Sequence, residues 1–148
     1  MENAVGHEIA EALVVLLRRT TRTRLHKRLT EGLGEALDEL TYPVLSALAR
    51  TGPRSAADLA PDAGVDRSGV TRRASRLEVA GLVRREPDPS DRRAHLLVLT
   101  DEGLAVVAEL RERLADQIMA GLAAWPPGEA EEFARPLRRF TVDEPFAP

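Results

Sequence analysis

The amino-acid sequence predicts a mainly α chain that carries one small β-hairpin. Three observations predict it. Leu, Val and Ala recur at helical spacings through most of the 148 residues. Only five residues are Phe, Trp or Tyr, so the core must be built mostly from Leu, Val and Ala, which suits helices. Two short apolar runs also flank a stiff polar tip, Pro87-Asp88-Pro89-Ser90-Asp91-Arg92-Arg93, which is a hairpin pattern.

Taken in order, residues 7 to about 30 predict one helical stretch, with Ile9, Leu13, Leu16, Leu17, Leu25 and Leu29 on its apolar stripe. Gly32 and Gly34 loosen the segment after it. A second helix opens at Thr41-Tyr42-Pro43, with threonine as N-cap and proline in the first turn, and ends at Gly52-Pro53. Ser55-Ala56-Ala57-Asp58 starts a third helix as a shortened capping box. Pro61 is expected to shorten or distort it, because proline lacks the N–H that the helix ladder needs. Gly64 and Val65 make a turn, Asp66 caps a fourth helix reaching about Ala80, and Gly81 closes it. The hairpin comes next. Asp101-Glu102-Gly103 begins a long helix through Leu122, Trp125-Pro126-Pro127-Gly128 breaks it, and a last helix holds Phe133, Leu137 and Phe140, with Pro136 expected to interrupt it.

Helix, helix, helix–turn–helix, hairpin and long helix is the order of a winged helix–turn–helix. The chain divides into an N-terminal helix over 1–34, the winged unit over 35–100 and C-terminal helices over 101–148. Neither end can bury its apolar stripe on so small a core, so both are expected to be dimerisation helices.

Composition narrows the function. The chain has no cysteine, which excludes disulfides, thiolate catalysis, redox sensing through cysteine and Cys-type zinc sites. His7, His26 and His95 lack the spacing of a metal site, no nucleophile–base set appears, and no phosphate-binding glycine loop is present. No cofactor, metal or enzymatic activity is therefore expected. No signal peptide or apolar run of membrane length is visible, so the expected location is the cytoplasm.

The net charge of −3 argues against nucleic acid until its distribution is read. Between Arg67 and His95 stand eight arginines and four acids, a balance of +4 that leaves −7 for the rest. On the fourth helix Val70, Ala74 and Leu77 share one face at i, i+4 and i+7, which must point to the core. The opposite face is Arg67, Ser68, Thr71, Arg72 and Ser75, with Arg76 at its edge. Arginines and short hydroxyls reach phosphates and base edges when a helix enters the major groove. Gly69 is expected to remove bulk where the backbone nears DNA. An isolated polar face is more often simply solvated, and it is the capped helix and the Gly64 turn before it that favour recognition.

The wing is weighed the same way. As a bare turn, Asp91 would pair with Arg93 for only ~0–1 kcal/mol at an exposed site. As a DNA contact, a tip stiffened by Pro87 and Pro89 would carry Arg92 and Arg93 to the narrow minor groove, which attracts arginine.

These residues carry a family resemblance. Leu77-Glu78-Val79-Ala80-Gly81-Leu82-Val83-Arg84-Arg85 resembles the "LExxGLVxR" segment of MarR-type regulators. Asp88-Pro89-Ser90-Asp91-Arg92-Arg93 with Leu99-Thr100-Asp101-Glu102-Gly103 is similar to their "DxRxxxxxLTxxG" wing signature, and Leu40-Thr41 through Leu48 resembles their "LTxxQxxVLxxL" helix, with Val44 at the glutamine position. The resemblance spans about residues 7–141. It implies a homodimeric transcriptional regulator of double-stranded DNA, usually a repressor, with Asp91 orienting the wing, Arg93 in the minor groove and Arg92 as its helper. It also implies a small aromatic or phenolic acid as effector, for which Leu16, Arg18, Arg19, Tyr42, Leu45 and Leu114 are the candidate lining. The alternative is a winged-helix module that binds another protein through the same surface without specific DNA binding.

Overall fold

The computed structural model describes residues 2–146. Among them are seven helices and one antiparallel hairpin: α1 (Glu2–Leu17), α2 (Arg19–Thr30), α3 (Tyr42–Thr51), α4 (Ala56–Ala63), α5 (Arg67–Val79), β1 (Val83–Asp88), β2 (Asp91–Leu99), α6 (Asp101–Gly121) and α7 (Glu129–Val142). The chain forms two compact units, Met1–Arg111 and Glu112–Pro148.

The single N-terminal helix expected from periodicity is two. Arg18 adopts φ −55° and ψ 136°, an extended conformation that ends α1 and starts α2. Thr21, in the first turn of α2, donates its hydroxyl to the Val15 carbonyl at 2.9 Å and so satisfies a carbonyl at the end of α1. The apolar spacing continues across the break because a single extended residue leaves the phase of Leu13 and Leu25 in the sequence unchanged, which is why periodicity alone misses it. Leu29, at the end of α2, is fully buried, whereas Val5, Ile9, Leu16 and Leu17 on α1 remain exposed.

The first unit is organised around Val44, Leu45 and Leu48 of α3, Leu59 of α4, and Val70, Ala74 and Leu77 of α5, all closed off from solvent. Full burial of each Leu or Val here is worth about 1.5–3 kcal/mol, so this cluster carries the unit. Thr41 stands at the N-cap position of α3 as the sequence suggests, with Pro43 in the first turn, but its side chain does not cap the helix. It sits in helical backbone (φ −88°, ψ −26°) with no side-chain cap bond, and its buried hydroxyl turns back to donate to the Ala36 carbonyl at 2.6 Å. Asp38 takes over, accepting the N–H groups of Leu40 and Thr41 at 2.9 and 3.0 Å.

The reader begins as its caps dictate. Ser55 Oγ accepts the Asp58 N–H at 3.1 Å, Gly64 closes α4 in the left-handed region at φ 70°, and Asp66 Oδ1 accepts the Gly69 N–H at 2.7 Å. Neither proline stops its helix. α4 continues two residues past Pro61, and α7 runs through Pro136 to Val142. Each proline leaves one carbonyl without its i+4 donor, that of Ala57 or Glu132, and both residues are exposed so that water can serve.

β1 pairs antiparallel with β2 from Val83–Leu99 to Asp88–Asp91, with an irregularity between Pro87 and Asp88. Arg54, in the α3–α4 connection, adds a short bridge to Leu97, its N–H donating to the Leu97 carbonyl at 3.3 Å and its carbonyl accepting the Leu97 N–H at 2.8 Å. Thr100 then joins hairpin to helix: its hydroxyl donates to the Gly81 carbonyl at 2.6 Å and accepts the Gly103 N–H at 3.0 Å. A β-carbon on Gly103 would overlap the Leu82 carbonyl oxygen, so only glycine fits this joint. In the second unit Trp125 meets Phe133 edge-on at 5.4 Å, and no residue of α7 is buried.

Candidate nucleic-acid interface

α5 presents its residues in two classes. Val70, Ala74 and Leu77 are fully buried, so the opposite side carries Arg67, Ser68 and Arg72, all exposed. Thr71 and Ser75 are turned partly inward along the helix, donating their hydroxyls to the carbonyls of Arg67 and Thr71 at 3.0 and 2.9 Å. Gly69 has a different reason from the one its position suggests. It is buried, and a β-carbon there would lie 3.0 Å from Asp66 Oδ1 and 3.2 Å from Val65 Cβ, so it makes room for the helix cap rather than for DNA.

The arginines divide sharply by partner. Arg76 Nη2 lies 2.7 Å from Asp38 Oδ2, Arg85 Nε 2.6 Å from Glu78 Oε2, Arg84 Nη2 2.6 Å from Glu86 Oε1, and Arg54 Nη1 2.6 Å from Asp62 Oδ2. Arg85 also donates to Ser75 Oγ at 3.1 Å, stapling β1 to α5. Among the described residues no ion pair engages Arg67, Arg72, Arg73, Arg92 or Arg93. Burial works against ionisation of Asp38, but the Arg76 guanidinium and the N–H groups of Thr41 and Leu40 outweigh it and hold the carboxyl below its ordinary pKa.

The wing tip is shaped by two aspartates. Asp88 Oδ1 accepts both the N–H and the hydroxyl of Ser90, at 2.9 and 2.7 Å, and these bonds, the hydroxyl's first, lower its pKa. Asp91 Oδ1 accepts the backbone N–H of Arg93 at 2.9 Å. Asp91 therefore shapes the chain around Arg93 through the backbone, while the exposed guanidinium itself is left for another partner. Arg92 is exposed beside it.

The candidate effector lining is dispersed. Leu45 is sealed in the core, Leu16, Arg18 and Arg19 are exposed around the α1–α2 break, and Tyr42 is half-buried with its ring 4.4 Å from that of His26. Burial, followed by the nearby Arg22 charge, lowers the His26 pKa. Leu114 lies in the second unit, half-buried on α6. Sequence reasoning missed Asp38, Glu78 and Arg85. The Glu78–Arg85 pair spans only the Gly81 turn and is readable as charges flanking a tight connection. Nothing in spacing links Asp38 to Arg76, thirty-eight residues away.

A short capped helix, a left-handed glycine turn, a second capped helix with outward arginines and a hairpin behind it define a winged helix–turn–helix DNA-binding protein. Comparison with known proteins makes this particular. The MarR family model matches residues 37–94. The helix–turn–helix-type transcriptional regulator YcgE of Bacillus subtilis (strain 168) is 32% identical over 114 residues, covering 76% of this chain and 73% of YcgE. The helix–turn–helix-type transcriptional repressor NicR of Pseudomonas putida is 29% identical over 101 residues, 68% of this chain and 64% of NicR. Among solved structures, the transcriptional regulator BldR from Sulfolobus solfataricus superposes with a TM-score of 0.67 at 26% identity, over 97% of this chain and 99% of BldR. The chain belongs to the MarR family of transcriptional regulators, and is a regulator rather than an enzyme.

Proposed function

We propose that the protein is a homodimeric repressor that binds a palindromic operator, acting in the cytoplasm where the DNA is. One observation carries the reading: of the arginines on the reader and the wing, Arg67, Arg72, Arg73, Arg92 and Arg93 have no ion-pair partner among the described residues, whereas Arg76, Arg84 and Arg85 beside them do. Five guanidinium groups kept out of internal pairs on two adjacent elements suit a polyanion. Arg67, Ser68 and Arg72, with the outer surfaces of Thr71 and Ser75, would enter the major groove. Arg93, on a turn shaped by Asp91 and assisted by Arg92, would enter the minor groove.

The exposed apolar faces of α1 and α7 support self-association through the helices flanking residues 35–100. A two-fold dimer expects half-sites whose centres are ~10 base pairs apart. That NicR is a repressor supports the direction of control. Arg18 and Arg19 at the α1–α2 break, with the Tyr42 ring in the same unit, supply cations and an aromatic surface suited to a small aromatic or phenolic acid that would release the operator. Duplex titration over a salt series tests the DNA reading: affinity should fall steeply with salt, by about 0.9 in log–log slope per phosphate neutralised. Salt-insensitive binding, or a folded dimer with no duplex affinity, would favour the protein-binding module instead. A thermal-shift screen of aromatic carboxylic acids, repeated on Arg19→Ala, tests the effector.

A further inference from the structure

Arg76 sits at the edge of the face that would meet DNA, and its charge makes it a natural candidate for a phosphate contact. Its guanidinium points elsewhere. Nη2 donates to Asp38 Oδ2 at 2.7 Å and to the Glu35 carbonyl at 3.0 Å, both in the loop between α2 and α3. That loop end is itself braced. Asp38 Oδ1 accepts the N–H groups of Leu40 and Thr41, and the fully buried Thr41 donates its hydroxyl to the Ala36 carbonyl. The two oxygens of Asp38 thus divide their work, one ordering the loop and the other holding Arg76. On the far side of the same turns, Arg85 of β1 grips Glu78 and Ser75. The C-terminal half of α5 is held from two sides, and the cations without internal ion pairs lie on its N-terminal half.

We propose that Arg76 is a positioning residue for DNA reading and not a DNA contact: the Asp38–Arg76 pair fixes the angle at which α5 leaves the core, and with it the register in which Arg67, Ser68 and Arg72 meet the bases and phosphates. The inference rests on the reading of α5 as the DNA-contacting helix. A partly exposed pair adds little to folding stability, so its effect falls on placement.

The test uses the full-length protein, an operator selected by it from a random-sequence library, and a short random-sequence duplex. Arg76→Ala and Asp38→Asn should each lower the ratio of operator to random-duplex affinity about tenfold, the size of one lost base contact. The double variant should lose no more than either single, since both break one interaction. The salt slope on the random duplex should stay at the native value for both, whereas Arg72→Ala should reduce it by about 0.9. Asp38→Asn keeps an oxygen for Leu40 and Thr41, so it decides the matter even if Arg76→Ala folds poorly. A slope that falls in Arg76→Ala as it does in Arg72→Ala, with Asp38→Asn unchanged, would overturn the proposal and make Arg76 a phosphate contact. An unchanged affinity ratio in Asp38→Asn would also overturn it. If the unaltered protein binds neither duplex, the DNA reading itself falls, before any substitution is made.

Discussion

α5 and α7 carry the same apolar spacing and meet opposite fates. Val70, Ala74 and Leu77 stand at i, i+4 and i+7 on α5, and Phe133, Leu137 and Phe140 stand at the same intervals on α7. The first three are 0% exposed, and the second three are 36–44% exposed. Periodicity states that a face must be covered, but it does not say by what. On α5 the cover is α3 and α4 of the same unit. The face of α7 is larger and aromatic, and a second copy of the chain is the cover proposed for it.

The sharpest way to break this comparison is to truncate one residue of each stripe. Leu77→Ala should cost about 2–5 kcal/mol, as lost transfer energy and a cavity add together, and its unfolding midpoint shift should be the same at every protein concentration. Phe140→Ala should act differently. Its half-exposed ring would lose about 1 kcal/mol per copy, hence about 2 kcal/mol per two-fold dimer. The loss should appear as weaker dimerisation by analytical ultracentrifugation, with a melting temperature that depends on concentration. Equal, concentration-independent losses at both positions would remove the distinction.

A second contrast runs through the arginines. Arg93→Ala should weaken operator binding by about 1–2 kcal/mol, within the range of a groove-reading contact, without moving the melting temperature. Arg54→Ala, whose partner is Asp62 in the same unit, should leave DNA affinity unchanged. Fluorescence anisotropy on one operator duplex reads both. Equal losses from the two would mean that internal pairing does not sort these cations by role.

These contrasts also mark which features sequence alone can reveal. The reader, its caps at Ser55 and Asp66, the Gly64 and Gly81 turns and the hairpin were all legible, because each depends on residues within a few positions of one another. The break at Arg18 was not, since a helix interrupted by one extended residue keeps its apolar phase. Thr41 holds the N-cap position that its place before Tyr-Pro predicts, but the missing cap bond was not legible, because its backbone is already helical and its hydroxyl is donated to Ala36. Pro61 and Pro136 pass within their helices at places where the residues whose carbonyls they orphan, Ala57 and Glu132, are exposed. The arginine-rich character of residues 67–95 was plain. Which arginines are internally paired was not, because that depends on long-range partners such as Asp38.

The smallest expected effect separates the two aspartates whose pKa is lowered. Asp38 and Asp88 both have native values below the ordinary 3.8. An unfolded carboxyl therefore binds its proton first as the solution is acidified, and acid favours unfolding. The stability each contributes is present above the ordinary carboxylate range and is lost as pH falls through the depressed native value. Asp38 answers to Arg76 and to two backbone N–H groups at the base of the reader, whereas Asp88 answers to Ser90 at a fully exposed tip. In urea titrations, Asp38→Asn should lose less than about 1 kcal/mol near neutral pH, as expected for a partly exposed pair. That deficit should shrink as the pH falls below the ordinary carboxylate value and vanish below the depressed native value, where the native carboxylate is protonated as well. Ser90→Ala should leave the acid limb of the stability curve almost unmoved, because the Asp88 carboxylate stays hydrated in both states. A Ser90→Ala curve that follows Asp38→Asn would mean that the wing tip, and not the base of α5, sets the acid sensitivity of the first unit.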